Sequence, residues 1–495
     1  MKKTDRRVVL FFPSYKFGGS VQSRTELPLS LLSIGTPLDR AGYTVRIIDQ
    51  RIEPDWKAMF SEELDKNPVC VGVSSMTGPQ IHYGLEASRL VRSHGKTPVV
   101  WGGIHPTLLP AQTVANEHVD IVVQGEGEET FFELVRALET GHPLTQVKGI
   151  WFKEGKEARS TGQRPPLDLN QQPPLSYHLV NLDKYLIRVF GTGHISLETS
   201  RGCPFRCAYC YNTPVYKGRW RGLTAEETLR RIRILATDYG IKGILFTDDN
   251  FFGKESRALE ILRRVREEDL DVVVSKIDAH VSQLARLSEA EIDVLRAAQC
   301  KMVMMGIESG SQRILNMLNK KIKMTDLLDL NRRLRGSGIR PHYFLMMGFP
   351  TETRKDLSET LALQRRLSKE NPEGVPRYNI FTPYPATPIF DIAVEHGFVP
   401  PSRLEDWVSL NYRTVNKGSV WLSERQKKTI RMLHFTTLLA QRNNFIKPYK
   451  KTSLWVRAIA LLYYPVACFR VRCLFPWFPI ELKMAELLGV YPKQS

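Results

Sequence analysis

Cysteine is scarce in this chain, with seven in 495 residues. Cys70, Cys300, Cys468 and Cys473 stand alone, whereas Cys203, Cys207 and Cys210 share one short stretch. Seven so arranged do not form a disulfide framework, and the expected compartment is a reducing cytosol. There is no second C-x2-C, so a closed zinc site lacks its usual second ligand pair. No G-x-G-x-x-G follows the first apolar run, which disfavours a dinucleotide. Nothing resembles a helix-turn-helix, a zinc finger or an RNA-binding sheet motif, and nucleic acid is not an expected partner. The apolar run Val8–Phe12, behind a basic start, is too short for a signal peptide and reads as a strand.

Acidic residues thin out towards the C-terminus. From Glu424 to Ser495 thirteen Lys and Arg face three Glu, so this segment supplies ten of the net +18. The asymmetry makes the tail, rather than the whole protein, basic. Its longest uncharged run, Ala458 to Phe469, falls far short of the ~20 residues needed to span a bilayer.

What is present divides naturally. Over residues 1–143 short apolar runs (Val8–Phe12, Thr44–Ile48, Val69–Ser74, Pro98–Trp101, Ile121–Val123) alternate with helical patterns (Leu29–Ala41, Trp56–Leu64, Ile81–Ser93, Glu129–Leu138). That alternation predicts a doubly wound, Rossmann-like parallel sheet whose ligand lies beyond the carboxyl ends of the strands. Those ends carry Ser74-Ser75-Met76-Thr77-Gly78, Gly102-Gly103-Ile104-His105-Pro106-Thr107 and Gln124-Gly125-Glu126-Gly127-Glu128. Glycines at such loops let backbone approach a large flat ligand. Residues 144–190 are punctuated by Pro165-Pro166 and Pro173-Pro174 and read as a linker, with a small hairpin near Gly149–Lys153.

Over 191–400 six strands (Ile195–Thr199, Gly243–Thr247, Val272–Lys276, Met302–Ile307, Tyr343–Met347, Tyr378–Phe381) alternate with helices, a partial (β/α)6 barrel. Thr224-x-x-Glu227 reads as a capping box opening the first of those helices. Strand ends carry Asp248-Asp249-Asn250, Lys276-x-Asp278, Gly306-Ile307-Glu308-Ser309-Gly310 and Met346-Met347-Gly348-Phe349-Pro350, a polar rim. Just past the first strand, Arg201-Gly-Cys-Pro-Phe-Arg-Cys-Ala-Tyr-Cys-Tyr-Asn212 sets three thiols in a C-x3-C-x2-C spacing. Three thiolates on a cubane would leave one iron open to a substrate. The competing reading is a zinc knuckle completed by His194. Cys300 precedes an apolar strand and reads as core.

The spacing, with the aromatic Tyr209 before the last cysteine, resembles the signature of the radical S-adenosylmethionine (SAM) superfamily. The resemblance implies a [4Fe-4S] cluster on Cys203, Cys207 and Cys210. Its open iron would chelate SAM, which an electron splits into methionine and a 5′-deoxyadenosyl radical. Gly-Ile-Glu-Ser-Gly and Gly-Phe-Pro look like features of one large subgroup, which places Glu308 and Ser309 near SAM. Tyr209, Asp249, Lys276 and Met346 complete the expected SAM contacts. The superfamily's Gly-Gly-Glu is absent, and Asp248–Asn250 stands in its place.

The Gly-Gly-x-His-Pro-Thr and Gly-Glu-Gly-Glu stretches are similar to the cobalamin-binding domain found ahead of many radical SAM cores. Expected cobalamin contacts are Ser74, Ser75, Met76, Thr77, Gly102, Gly103, His105, Gly125, Glu126, Gly127 and Glu128, with Ser74–Thr77 under the corrin. Many such domains carry Asp-x-His-x-x-Gly with a cobalt-binding histidine. Here Arg51, in Asp49-Gln50-Arg51-Ile52, falls at that place, either as a replacement or as a surface residue. His105 reads as a packing or hydrogen-bonding residue rather than a cobalt ligand, and a relic domain without corrin is the further alternative.

The resemblance implies a cobalamin-dependent radical SAM enzyme, similar to the subgroup of C-methylases and the anaerobic cyclase of bacteriochlorophyll synthesis. The rivals are a radical oxidation, cyclisation or rearrangement, and a non-catalytic iron–sulfur and corrin carrier. Implied partners are a small-molecule substrate, apolar or anionic (a lipid or tetrapyrrole), and an electron donor such as flavodoxin or ferredoxin. The tail, 401–495, reads as a helical extension. A helix over Glu424–Phe445 precedes Lys447-Pro448-Tyr449-Lys450-Lys451 and an aromatic, arginine-bearing segment. It either caps the barrel or lies on the inner face of an anionic membrane.

Overall fold

Val8, Val9, Leu10 and Phe11 have no exposed surface, the mark of a strand covered on both sides. They lie in β1 (Arg7–Phe12), which pairs in parallel with β2 (Thr44–Asp49) and β3 (Cys70–Ser74). The sheet continues through β4 (Val99–Gly102) and β5 (Ile121–Val123) in the order β2-β1-β3-β4-β5. The order reverses direction beside β1, which is where an open α/β sheet forms its crevice. The computed structural model describes residues 6–15, 25–410, 418–441, 454–474 and 483.

The doubly wound sheet expected from the apolar alternation is therefore present, and larger. The hairpin expected near Gly149–Lys153 is β6 (Ile150–Glu154) and β7 (Glu157–Ser160), which join antiparallel at the β5 edge. Two short helices, Ile104–Leu108 and Pro110–Ala115, occupy a stretch read as loop.

The second sheet begins with β8 (Ile187–Val189), antiparallel to β9 (Thr192–Leu197). A small hairpin, β10 (Ser200–Gly202) with β11 (Trp220–Gly222), stands beyond the end of β9. Then follow β12 (Gly243–Phe246), β13 (Val273–Asp278), β14 (Met302–Glu308), β15 (Arg340–Met347) and β16 (Val375–Ile380). The order β16-β15-β14-β13-β12-β9 is parallel throughout, an open half-barrel of six strand–helix units. β15 and β16 start three residues earlier than the sequence suggests. Pro341 and Pro376 lie near their first residues, a position where a strand tolerates proline.

Local signals mostly hold. Thr224 accepts the amide of Glu227 at the start of the helix Ala225–Asp238. The reciprocal half of the expected capping box is diverted, because the Glu227 carboxylate is taken by Arg230 and Arg231. Cys300 is buried in the core as expected. Arg51 is not a surface residue: it is buried, ion-paired to Asp49 at 2.6 Å, and its guanidinium lies 4.0 Å from the Phe12 ring centroid. Asp49 also accepts the Tyr185 hydroxyl at 3.0 Å, so this pair ties the first domain to the linker.

Residues after the barrel return to the first sheet. Phe398, Leu404, Trp407 and Leu410 share a core cluster with Val9, Phe11, Trp56, Phe60 and Trp101. Trp407 donates to Gln112 at 2.6 Å, Gln112 to the Pro401 carbonyl at 2.9 Å, and Asn116 to Glu405 at 2.5 Å. Within the tail, the helix Glu424–Leu439 packs by Ile430, Met432 and Leu433 beside β16, with Gln441 donating to the Pro376 carbonyl. Part of the expected helix, and the Lys447–Lys451 stretch, lie outside the described residues.

Candidate functional site

The base of the cysteine loop is clamped by the protein's own hydrogen bonds. Gly202 has φ +81°, and a Cβ there would sit 2.2 Å from the Arg219 carbonyl, so the β10–β11 crossing requires glycine. Asp248, at the end of β12, accepts the amides of Thr199 and Ser200 and the Thr199 hydroxyl. Burial pushes its carboxyl up to about 6, against the opposing charge of Arg257. Asp249 takes the Gly202 amide at 3.1 Å and the Tyr211 hydroxyl at 2.8 Å. Both acids thus hold the turn that presents the thiols. Asn250 approaches the Cys203 sulfur at 3.6 Å.

Cys207 is buried, Cys203 and Cys210 half-buried, and burial pushes the Cys210 thiol up to about 12. Ligation would release these protons, because the thiolate is the ligand. A cubane takes each thiolate on its own iron, so the sulfurs need not converge on one point. Among the described residues no three His, Cys, Asp or Glu side chains do. His194 lies near the opposite end of β9, and its ring nitrogens meet Thr192 at 3.1 Å and the Ile187 carbonyl at 3.2 Å. It packs on Gly243, where a Cβ would fall 1.8 Å from the ring. The knuckle completed by His194 is therefore not formed.

Beside the loop lies a buried polar group. Tyr209 donates to Glu308 at 2.5 Å, and the Lys320 ammonium is 3.3 Å from Glu308 and 3.2 Å from the Tyr209 hydroxyl. Glu308 has φ +70°, and its carboxylate folds back over Gly306, where a Cβ would be 2.3 Å from Oε1. That explains the Gly306-x-Glu308 spacing. Burial lifts the Tyr209 phenol well above its usual range, and the Glu308 charge adds to it. Burial opposes the Lys320 charge, but Glu308 outweighs it and the ammonium is held above its usual pKa. Lys320 is the residue missed from sequence: it stands in Asn319-Lys320-Lys321-Ile322-Lys323, which reads as a solvated basic turn.

The other expected SAM residues divide. Lys276 pairs with Asp278 at 2.9 Å at the end of β13. Met346 packs half-buried with Tyr209 against Ala208, Phe349 and Phe381. Ser309 is fully buried and its hydroxyl meets Thr360 at 2.9 Å.

At the carboxyl edge of the first sheet, Gly103 has φ +97°, and a Cβ would fall 2.7 Å from the Ser75 carbonyl. The Ser75 amide reaches the Gly102 carbonyl, Ser74 meets Ser30 at 3.3 Å, and the Met76 side chain is exposed. Thr77 meets His105 Nδ1 at 2.9 Å, while Nε2 is buried without a hydrogen-bond partner. The His105 ring stands edge-on to Trp407 at 5.5 Å, and burial drops its pKa from 6.5 to about 3. His105 thus packs as expected. Gly125 has φ +87° with open space at its Cβ position, and its amide meets the Thr107 hydroxyl. Glycine-opened backbone and an exposed Met76 fit a broad planar group at this edge.

Glu126 and Glu128, expected as cobalamin contacts, are engaged in ion pairs. Glu126 pairs with Arg221 at 2.5 Å and Arg201 at 3.4 Å and accepts the Leu167 amide. Glu128 is buried and pairs with Arg201 at 2.6 Å, while Arg201 Nε reaches Glu198 at 2.9 Å. Gly127 packs on Ile34. These carboxylates join the loop after β5 to the residue that opens the cysteine motif.

The Radical SAM superfamily model matches residues 197–363, and the B12 binding domain model matches residues 21–135. An uncharacterised methyltransferase of Pyrococcus horikoshii is 30% identical over 422 residues, 85% of this chain and 89% of that one. The anaerobic magnesium-protoporphyrin IX monomethyl ester cyclase of Cereibacter sphaeroides is 25% identical over 393 residues, 78% of this chain and 63% of that one. In fold, the chain is similar to the cobalamin-dependent S-adenosylmethionine radical enzyme OxsB, with TM-score 0.73 at 17% identity, covering 98% of this chain and 75% of that one.

Proposed function

Because the chain belongs to the radical SAM superfamily, in the branch that carries a B12-binding domain, we propose that it methylates an unactivated carbon of a small molecule. It is a cobalamin-dependent radical SAM enzyme of methyltransferase type, and its cofactors are a [4Fe-4S] cluster, SAM and cobalamin. When bound, these groups supply one-electron cleavage of a sulfonium and a transferable methyl.

The chain's own residues supply position. Cys203, Cys207 and Cys210 would hold the cluster on a loop stiffened by Asp248 and Asp249. Tyr209, Glu308 and Lys320 place a charged, water-poor wall beside it, and Lys276 and Met346 belong to the same rim. Gly102, Gly103 and Gly125 would leave room for the corrin at this edge, and Ser74, Ser75, Met76 and Thr77 would help to hold it. The observation that carries the reading is the direct contact of Arg201, on the cluster loop, with Glu126 and Glu128, on the corrin-side loop. It supports a reading in which the radical source and the methyl carrier share one mouth.

The partners on this reading are a substrate and an external electron donor such as flavodoxin or ferredoxin. A tetrapyrrole is the favoured substrate class, since a relative acts on a magnesium porphyrin ester. A peripheral contact of the C-terminal tail with the inner face of a membrane belongs to the same reading. The relative named as a cyclase supports a second one, radical oxidative cyclisation on the same scaffold. Anaerobic protein, reconstituted and given methyl-labelled SAM and candidate porphyrins, separates them. Label in the product together with S-adenosylhomocysteine supports methylation. Formation of 5′-deoxyadenosine and an unlabelled oxidised product would replace it with cyclisation.

A further inference from the structure

The helix Leu454–Cys473 is apolar on two opposite faces. Ala460, Ala467 and Val471 are buried on the side that packs against the helices Glu424–Leu439 and Arg354–Glu370. On the other side Trp455, Ile459, Leu462, Val466 and Phe469 recur at alternating steps of four and three, which aligns them along one stripe. They are 81%, 55%, 82%, 44% and 57% exposed. A helix apolar all round belongs in an interior, and a contiguous apolar surface of this length marks a docking face.

Charge selects the occupant. From Arg425 to Ile480 there is no Asp or Glu, while Lys447, Lys450 and Lys451 precede the helix and Arg470 and Arg472 close it. Arg472 is exposed at its end, and Arg425 and Lys428 are exposed on the neighbouring helix. A second copy on this stripe would bring two net-basic surfaces together, which like-charge repulsion opposes. An anionic lipid leaflet complements that charge, and Trp and Phe near the two ends of the stripe suit the headgroup boundary. With one face already packed on protein, the helix can lie along a membrane but not cross it. Consistently, no helix among the described residues is long and apolar enough to span.

Resting on the membrane contact of the tail in the proposed function, we propose that this helix seats the protein on an anionic membrane face, with Trp455, Ile459, Leu462, Val466 and Phe469 entering the lipid boundary. The test is flotation of the full-length, reconstituted protein with vesicles of phosphatidylcholine, alone or mixed with phosphatidylglycerol. Wild type floats with the mixed vesicles, less so at high salt. The double variant Leu462→Glu/Val466→Glu, altered only on the outward stripe, binds at least about tenfold more weakly. Brominated lipid quenches tryptophan emission in the wild type, and Trp455→Phe removes that quenching, a readout that does not depend on the double variant folding. Failure of the wild type to float, equal flotation of the double variant, or a solution dimer that the double variant disrupts would overturn the proposal. Neither readout uses SAM cleavage, so failure here leaves the catalytic reading standing.

Discussion

Arg201 and Glu128 lie 2.6 Å apart, one opening the cysteine motif and the other opening a helix of the first domain. Glu126 and Glu198 complete the grip on the same guanidinium. Removing one partner of a buried ion pair costs about 3–5 kcal/mol, because the other charge remains stranded. Arg201→Ala should therefore lower the urea midpoint of the holoprotein markedly. Arg201→Lys should recover only part, since an ammonium cannot span three carboxylates as a planar fork does.

The same grip separates two roles for the Gly-Glu-Gly-Glu stretch. If Glu126 and Glu128 position the cluster loop, Glu126→Gln/Glu128→Gln should lose iron while retaining cobalamin. Cobalt and iron per chain, measured on anaerobic preparations, check this. Loss of cobalt with iron intact would return these residues to the corrin.

Substituting Cys203, Cys207 or Cys210 by Ala should each abolish cluster loading and 5′-deoxyadenosine formation. Iron and sulfide analysis with electron paramagnetic resonance provides the measurement. Cys300→Ala should leave both unchanged and cost only packing, about 1 kcal/mol.

Lys320 and Glu308 should behave as a coupled pair. Lys320→Met alone leaves a buried carboxylate unpaired and should destabilise by about 3 kcal/mol or more. Adding Glu308→Gln should restore part of that loss. A double-mutant cycle on urea midpoints reads the coupling, and additive effects would show that the pair is not formed.

His105 and His280 give acid sensitivity with a defined sign. Burial lowers both from 6.5 to about 3, so the unfolded chain takes up protons that the folded one refuses. Their contribution to stability is complete above pH 6.5 and declines as pH falls towards 3. The slope reaches about 1.4 kcal/mol per pH unit for each histidine. His105→Gln should flatten the fall in unfolding free energy between pH 7 and pH 5.

Much of the fold is written in apolar runs. β1, β3 and β12 are buried on both sides and read as continuous hydrophobic stretches. What escaped had weaker local marks. β8 is too short and too exposed to show alternation. Leu404 and Trp407 look like an ordinary loop until the first sheet lies beneath them. At the site, cysteine spacing is a local property and survives without coordinates. The roles of Glu126, Ser309 and Lys320 depend on Arg221, Thr360 and Glu308, partners that periodicity cannot name.

The return of residues 398–410 to the first sheet ties the halves of the molecule together twice, once through the linker and again through Trp407. A break in the backbone between β7 and β8 would therefore release neither half. Latched at both ends, the two halves are not held by a single hinge.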